Sequence, residues 1–227
     1  MLSSEFTSYF FQMIHLKKYR EIFEANLSWV EKNKENNPKL FELLAAEQTP
    51  DFLYIGCSDS RIHPSQIMGL NPGEVFIHRN IANMVYVTDL NALSVINYAV
   101  NHLKVKYIIV CGHYECGGIK AAMGNSDHGM LNPWLCGIRD IYQNHKQELD
   151  AIDDIEEKHR RLVEINIYEQ CRNVIKTAEV QKSYRKTGFP KVAGWVFDIK
   201  DARLHDLHFD FLSELERANQ IYNILTE

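Results

Sequence analysis

Val110-Cys111-Gly112-His113-Tyr114-Glu115-Cys116-Gly117-Gly118 follows directly on Tyr107-Ile108-Ile109, and together they read as a buried strand that stops at Gly112. Gly117-Gly118 then open a helix. A histidine and a cysteine three apart in a strand-to-helix turn are able to reach one metal ion. Zinc favours such borderline-soft nitrogen and sulfur ligands, and a catalytic zinc site keeps three protein ligands and one open position. The third ligand is offered by Cys57, in Ile55-Gly56-Cys57-Ser58-Asp59-Ser60-Arg61, which ends a second apolar run, Phe52-Leu53-Tyr54-Ile55.

Outward from these two runs the chain alternates strand and helix. On the N-terminal side, Ile22, Phe23, Leu27 and Val30 fall at helical spacing between Lys18 and Lys34, and Asn37-Pro38 starts a second helix through Phe41, Leu44 and Ala45. These helices are read as a cover for a core or an arm around a partner subunit. Pro64-Ser65 begins a short helix, Asn71-Pro72-Gly73 is a turn, and Val75-Phe76-Ile77 is a strand. Thr88 is the expected N-cap of a helix carrying Leu93, Ile96, Val100 and Leu103 on one face. Past the metal motif come a helix near Trp134 to Gln147 and a helical region from about Asp153 to Lys186. A fourth strand, Val192 to Ile199, precedes an antiparallel edge strand at Leu204-His205-Asp206-Leu207 and a helix near Ser213. Such alternation implies an α/β fold with a mostly parallel sheet flanked by helices. In such sheets ligands gather outside the carboxyl ends of the strands where strand order reverses, which brings Cys57, His113 and Cys116 together if the first and third strands are neighbours.

Residues 1–18 are read as an N-terminal extension, disordered or helical, and 19–227 as one α/β domain. A net charge of −5 argues against a nucleic-acid surface, and no apolar run approaches membrane-spanning length. The odd count of five cysteines, without a secretory signal at the N-terminus, points to a reducing, cytoplasmic setting. Buried cysteine is common for packing reasons alone. Cys111, Cys136 and Cys171 are read that way, whereas glycine-flanked polar residues ending two apolar strands have no packing rationale. His63, His78, His102, His128, His145 and His159 are read as solvated.

Asp59 and Arg61 complete the motif. In an extended segment, residues 57, 59 and 61 share one side. A bidentate pair with Arg61 would keep the Asp59 carboxylate ionised and aimed at the metal. The competing reading is a plain surface salt bridge.

Cys57-Ser58-Asp59-Ser60-Arg61 followed by His113-Tyr114-Glu115-Cys116-Gly117-Gly118 resembles the β-class carbonic anhydrases. The likeness continues through His78-Arg79-Asn80-Ile81-Ala82-Asn83, Asn132-Pro133-Trp134-Leu135 and Gly194-Trp195-Val196-Phe197, over roughly residues 19–222. The resemblance implies one zinc per chain on Cys57, His113 and Cys116, and a zinc-bound hydroxide, oriented by the dyad Asp59–Arg61, that hydrates carbon dioxide to bicarbonate. It implies strand order 2-1-3-4 with an antiparallel fifth strand, and a homodimer or dimer of dimers. Gly117, Gly118 and Tyr98 would line the substrate pocket. An inhibitory bicarbonate pocket in some members uses tryptophan, arginine and tyrosine. The matching positions here are Tyr54, Arg79 and Phe197, so Arg79 is expected to be structural or to contact an anion, with Tyr54 as the other candidate anion contact. Alternatives are a zinc hydrolase of carbon disulfide or carbonyl sulfide, a structural or inactive bicarbonate-binding zinc protein, and a thiol protein with a Cys57–Cys116 disulfide.

Overall fold

The structure, a computed structural model, describes the backbone of residues 4–222 and 224 and the side chains of residues 17–222 and 224. The chain forms two compact units, Met1–Gln48 and Thr49–Glu227. In the first, α1 (Ser4–Asn36) starts well before the segment whose periodicity predicted it, so the backbone does not change character at the expected boundary of 18 and 19. α2 (Leu40–Ala46) follows, and Trp29 meets Phe41 edge-on at 5.5 Å. Residues 1–3 and the side chains through residue 16 of the expected extension lie outside the described residues.

The second unit opens with β1 (Phe52–Cys57), α3 (Pro64–Met68) and β2 (Val75–Asn80). A tight turn at Ile81–Asn83 leads to α4 (Leu90–Asn97), which continues as a π-helical turn over Tyr98–Leu103. The cap of α4 is Asp89 rather than Thr88, since its carboxylate accepts from the Asn91 amide, a bond that suits a helix starting one residue later. β3 (Tyr107–His113) runs two residues further than its apolar stretch and delivers the chain to α5 (Gly117–Met123). α6 (Asn132–Asn144) and α7 (Lys146–Asp150) divide the single helix expected near Trp134 to Gln147. Likewise α8 (Ile155–Ile175) and α9 (Ala178–Thr187) divide the long helical region, and Gly188 ends α9 in the left-handed conformation with φ +77°. β4 (Lys191–Asp198), β5 (Arg203–Asp206) and α10 (Phe211–Ile221) complete the unit.

The sheet order is β2-β1-β3-β4-β5, parallel except for the β4–β5 pair, as expected. Alternation along β1 and β3 sends side chains to opposite faces. Leu53, Ile55, Ile108 and Val110 join the larger core, while Tyr54, Ile109, Cys111 and Phe197 form a smaller one. α8 lies across β3 and β4 in the larger core. Gly112 permits that approach, because a Cβ there would stand 2.7 Å from the Ile167 side chain. Between β1 and β3 the chain departs in opposite directions, to β2 on one side and β4 on the other. This is the switch point, with Cys57 and His113 at its lip.

Candidate metal centre

Cys57, His113 and Cys116 converge as expected: all three are buried, and one donor atom from each lies within 4.8 Å of the others. The sulfurs are 3.9 Å apart. Two thiolates on one tetrahedral zinc, with bonds near 2.3 Å, stand about 3.8 Å apart. A disulfide needs about 2.05 Å, and all five cysteines are free. His113 has no surface exposure, and its Nδ1 lies 2.8 Å from the Tyr114 carbonyl, to which it donates. That bond leaves the lone pair on Nε2, which is buried without a hydrogen-bond partner in the described structure. A buried orphan nitrogen facing two thiols is costly unless a cation occupies the space, so the donor set fits zinc.

The sulfurs are further prepared by backbone amides. The Ala82 N–H, held at φ +62°, points at Cys57, and the Gly118 and Ile119 amides point at Cys116. The hydrogen bond from Cys116 holds the Cys57 thiol well below its usual range, and the same bond pushes Cys116 up. A coordinating cation deprotonates such thiols outright.

Asp59 sits beside this donor set in a turn, not in the extended segment the alternation argument assumed. Its Oδ1 accepts from the Arg61 backbone amide at 3.0 Å and its backbone carbonyl accepts from Ile62, so the chain folds back immediately after β1. Arg61 Nε donates to Oδ1 at 2.9 Å and Nη2 to Oδ2 at 2.7 Å, the expected bidentate fork. These bonds hold the Asp59 carboxyl well below the usual carboxylate range. Asp59 Oδ2 lies 3.7 Å from His113 Nε2, too long for a hydrogen bond and close enough to border the open side of the donor set.

Arg79 is a clamp. Its Nε donates to the Cys57 carbonyl at 2.8 Å and its Nη2 to the Asp59 carbonyl at 2.6 Å, tying the edge strand β2 to the backbone of both residues. Tyr54 and Phe197 are buried in the smaller core, burial pushes the pKa of the Tyr54 hydroxyl up, and the Cys111 thiol donates to the Gly112 carbonyl at 3.4 Å. Gly117 has open space beside it, whereas a Cβ at Gly118 would meet Ile81 at 2.8 Å and Ala82 at 3.2 Å. The ring contacts of Tyr98 are with Phe76 and His102.

Two histidines expected to be solvated are buried. His78 turns its Nε2 to the Asn80 amide at 3.1 Å, and burial lowers its pKa. His159, on α8, donates from Nε2 to the Cys116 carbonyl at 3.1 Å. A polar helix face gave no sign of this, because it arises from α8 packing over the start of α5. Beyond it, the Tyr114 hydroxyl donates to Glu164 at 2.6 Å, the Arg160 guanidinium lies 3.5 Å over the Tyr114 ring, and Arg160 pairs with Asp198.

Fold and site together define a metalloprotein of the parallel α/β type, with a Cys–His–Cys donor set at the sheet's switch point and a buttressed carboxylate beside it. The profile of the carbonic anhydrase family matches residues 52–204, and this chain belongs to that family, in its β class. A carbonic anhydrase from Emericella nidulans is 58% identical over 90% of this chain and 90% of its own length. The β-carbonic anhydrase CafA of Aspergillus fumigatus superposes with a TM-score of 0.86 at 35% identity, covering 92% of this chain and all of that one (100%). One of two tetrameric β-carbonic anhydrases from Sordaria macrospora gives 0.81 at 38% identity, over 85% of this chain and 98% of that one.

Proposed function

We propose that this protein catalyses the reversible hydration of carbon dioxide to bicarbonate and a proton, with one zinc ion per chain held by Cys57, His113 and Cys116. The observation that carries this is the buried, unpartnered Nε2 of His113 facing two cysteine sulfurs, with an arginine-locked carboxylate at its edge. When bound, zinc supplies a Lewis acid that lowers the pKa of a water molecule toward neutrality.

The chain's own residues do the rest. Asp59, ionised because Arg61 grips both its oxygens, accepts a hydrogen bond from the attacking water and turns that water's lone pair toward the carbon of the substrate. Arg61 positions Asp59, and Arg79 holds the turn that carries it. Gly117, with nothing within 4 Å of a Cβ position, leaves room for a small linear substrate, and Gly118 sets the approach of the Ile81–Asn83 turn behind it. We read Tyr98 as a packing residue of the Phe76–His102 stack. The intact Asp59–Arg61 fork supports an open site over one in which Asp59 swings onto the metal as a fourth ligand.

Assembly as a homodimer or dimer of dimers is supported by the relatives from Sordaria macrospora, which are tetrameric. Five unpaired cysteines support a reducing, cytoplasmic location, and no helix among the described residues is long and apolar enough to cross a membrane. Metal content measured together with stopped-flow carbon dioxide hydration across pH tests the proposal. Stoichiometric zinc with hydration rising toward alkaline pH is the expected result. Turnover of carbon disulfide or carbonyl sulfide without hydration would move the substrate to those compounds, and zinc without turnover of any would leave a binding protein.

A further inference from the structure

At the end of the sheet remote from Cys57 and His113, where β3 and β4 begin, lies a groove of about 870 Å3. Lys104 and Lys106 reach it from the approach to β3, Lys182 and Lys186 from α9, and Val105 and Phe189 supply apolar wall. Arg185 also lines it, and no aspartate or glutamate does among the described residues. In a chain with 30 acidic and 25 basic residues, five cations around one concavity without an acid run against the overall charge.

Some of these charges have local explanations. Lys106 pairs with Asp51 at 2.8 Å, and Arg185 donates to the Ile224 carbonyl. Arg185 and Lys186 also sit in the last turn of α9, where cations complement the helix dipole. Lys104 and Lys182 have neither explanation, and neither they nor Lys186 has a carboxylate partner among the described residues. The single acid on α9, Glu179, accepts from Asn97 at 3.5 Å. Lys182 and Lys186 therefore stand one turn apart on the same helix with their repulsion unrelieved, an arrangement that is destabilising by itself. Apolar walls beside a cluster of one sign strengthen its field. The volume is that of a small-molecule pocket, about 300–1,000 Å3.

We infer that this groove binds a small oligophosphate anion, whose oxygens bridge Lys104, Lys182 and Lys186. Lysine suits the role because it meets phosphate as a mobile point charge and needs no fixed fork. Phe189, 38% exposed at the rim, offers a ring face to any base the phosphate chain carries.

Isothermal titration calorimetry of the zinc-loaded full chain, with tripolyphosphate and separately with ATP, tests the inference. Saturable binding that weakens with added salt is expected. Lys182→Gln/Lys186→Gln should weaken it about tenfold or more. The same charge change on α1, Lys32→Gln/Lys34→Gln, should leave affinity unaltered, and both double variants should keep zinc content and hydration rate. Tighter binding of ATP that Phe189→Leu abolishes would assign the groove to nucleotides; equal affinities would assign it to the phosphate chain alone. Absence of saturable binding for both probes, or equal weakening by the two double variants, overturns the inference.

Discussion

Replacing Asp59 by asparagine separates its chemical role from its structural one. The carboxylate uses three acceptor contacts to Arg61: the backbone amide at 3.0 Å and Nε at 2.9 Å on Oδ1, and Nη2 at 2.7 Å on Oδ2. An amide keeps one oxygen. If that oxygen stays at Oδ1, an NH2 group faces the Nη2 donor at van der Waals range, and the fork opens. Hydrogen bonds to charged groups contribute about 1.5–3 kcal/mol in favourable settings. Arg61 is half exposed, so solvent screening brings the stability loss to about 1 kcal/mol or less. The kinetic loss is larger. Removing one preorganised hydrogen-bonding group that acts in the transition state costs about 10²- to 10³-fold, equivalent to about 2.7–4 kcal/mol of barrier. Because Asp59 is outside the three-donor cluster, zinc should remain. The expected variant is folded, zinc-loaded and slower by at least about 100-fold in kcat/KM. Stopped-flow hydration, metal analysis and a urea melt measure the three quantities on one preparation. Hydration near the wild-type rate in a zinc-loaded Asp59→Asn protein would refute the role given to the carboxylate.

Arg79→Met should remove both donors to the Cys57 and Asp59 carbonyls, lowering stability by about 1–3 kcal/mol and weakening zinc retention in a chelator competition; an unchanged zinc off-rate would show that the clamp does not position the site. Gly118→Ala should destabilise by about 1–3 kcal/mol, because its Cβ meets Ile81 at 2.8 Å, while Gly117→Ala should fold normally, with nothing near its Cβ; equal melting curves would contradict a tight Gly118–Ile81 contact. The Asp59–Arg61 pair also carries a pH signature. Asp59 has a depressed folded pKa, so its contribution is fully present above the unfolded value of about 3.9 and is lost as pH falls through the lower folded value. The stability gap between wild type and Arg61→Met should accordingly be constant above about pH 5 and close below about pH 4, and a gap that widens with acid would reverse the assignment. His113→Ala should abolish stoichiometric zinc, read by metal analysis, since the remaining two sulfurs make an incomplete donor set.

Much of this architecture was legible in one dimension because it depends on local patterns. Apolar runs ending in Gly-Cys and Gly-His announce strands that stop at a candidate metal donor, and strand–helix alternation leaves few topologies. The resemblance of Cys57–Arg61 and His113–Gly118 to a known family added the substrate and the strand order, which spacing alone did not carry. Element ends were less legible. Asp89 displaced Thr88 as a cap, and the helices around His145 and Lys176 divided, because a single hydrogen bond or turn decides such ends and periodicity does not register it.

The sequence by itself determined that a cysteine and a histidine end two strands and that a second cysteine and an Asp–Arg pair follow within a few residues, since residue type and the period of burial are written locally. Only the tertiary structure decided how they are held. Arg79 reaches across from a neighbouring strand to two carbonyls, His159 descends from α8 onto Cys116, and Gly112 and Gly118 serve as contact points between elements distant in the chain. Those interactions join residues whose spacing carries no signal, because hydrogen bonds and steric contacts act over a few ångströms of space whatever the length of chain between the partners.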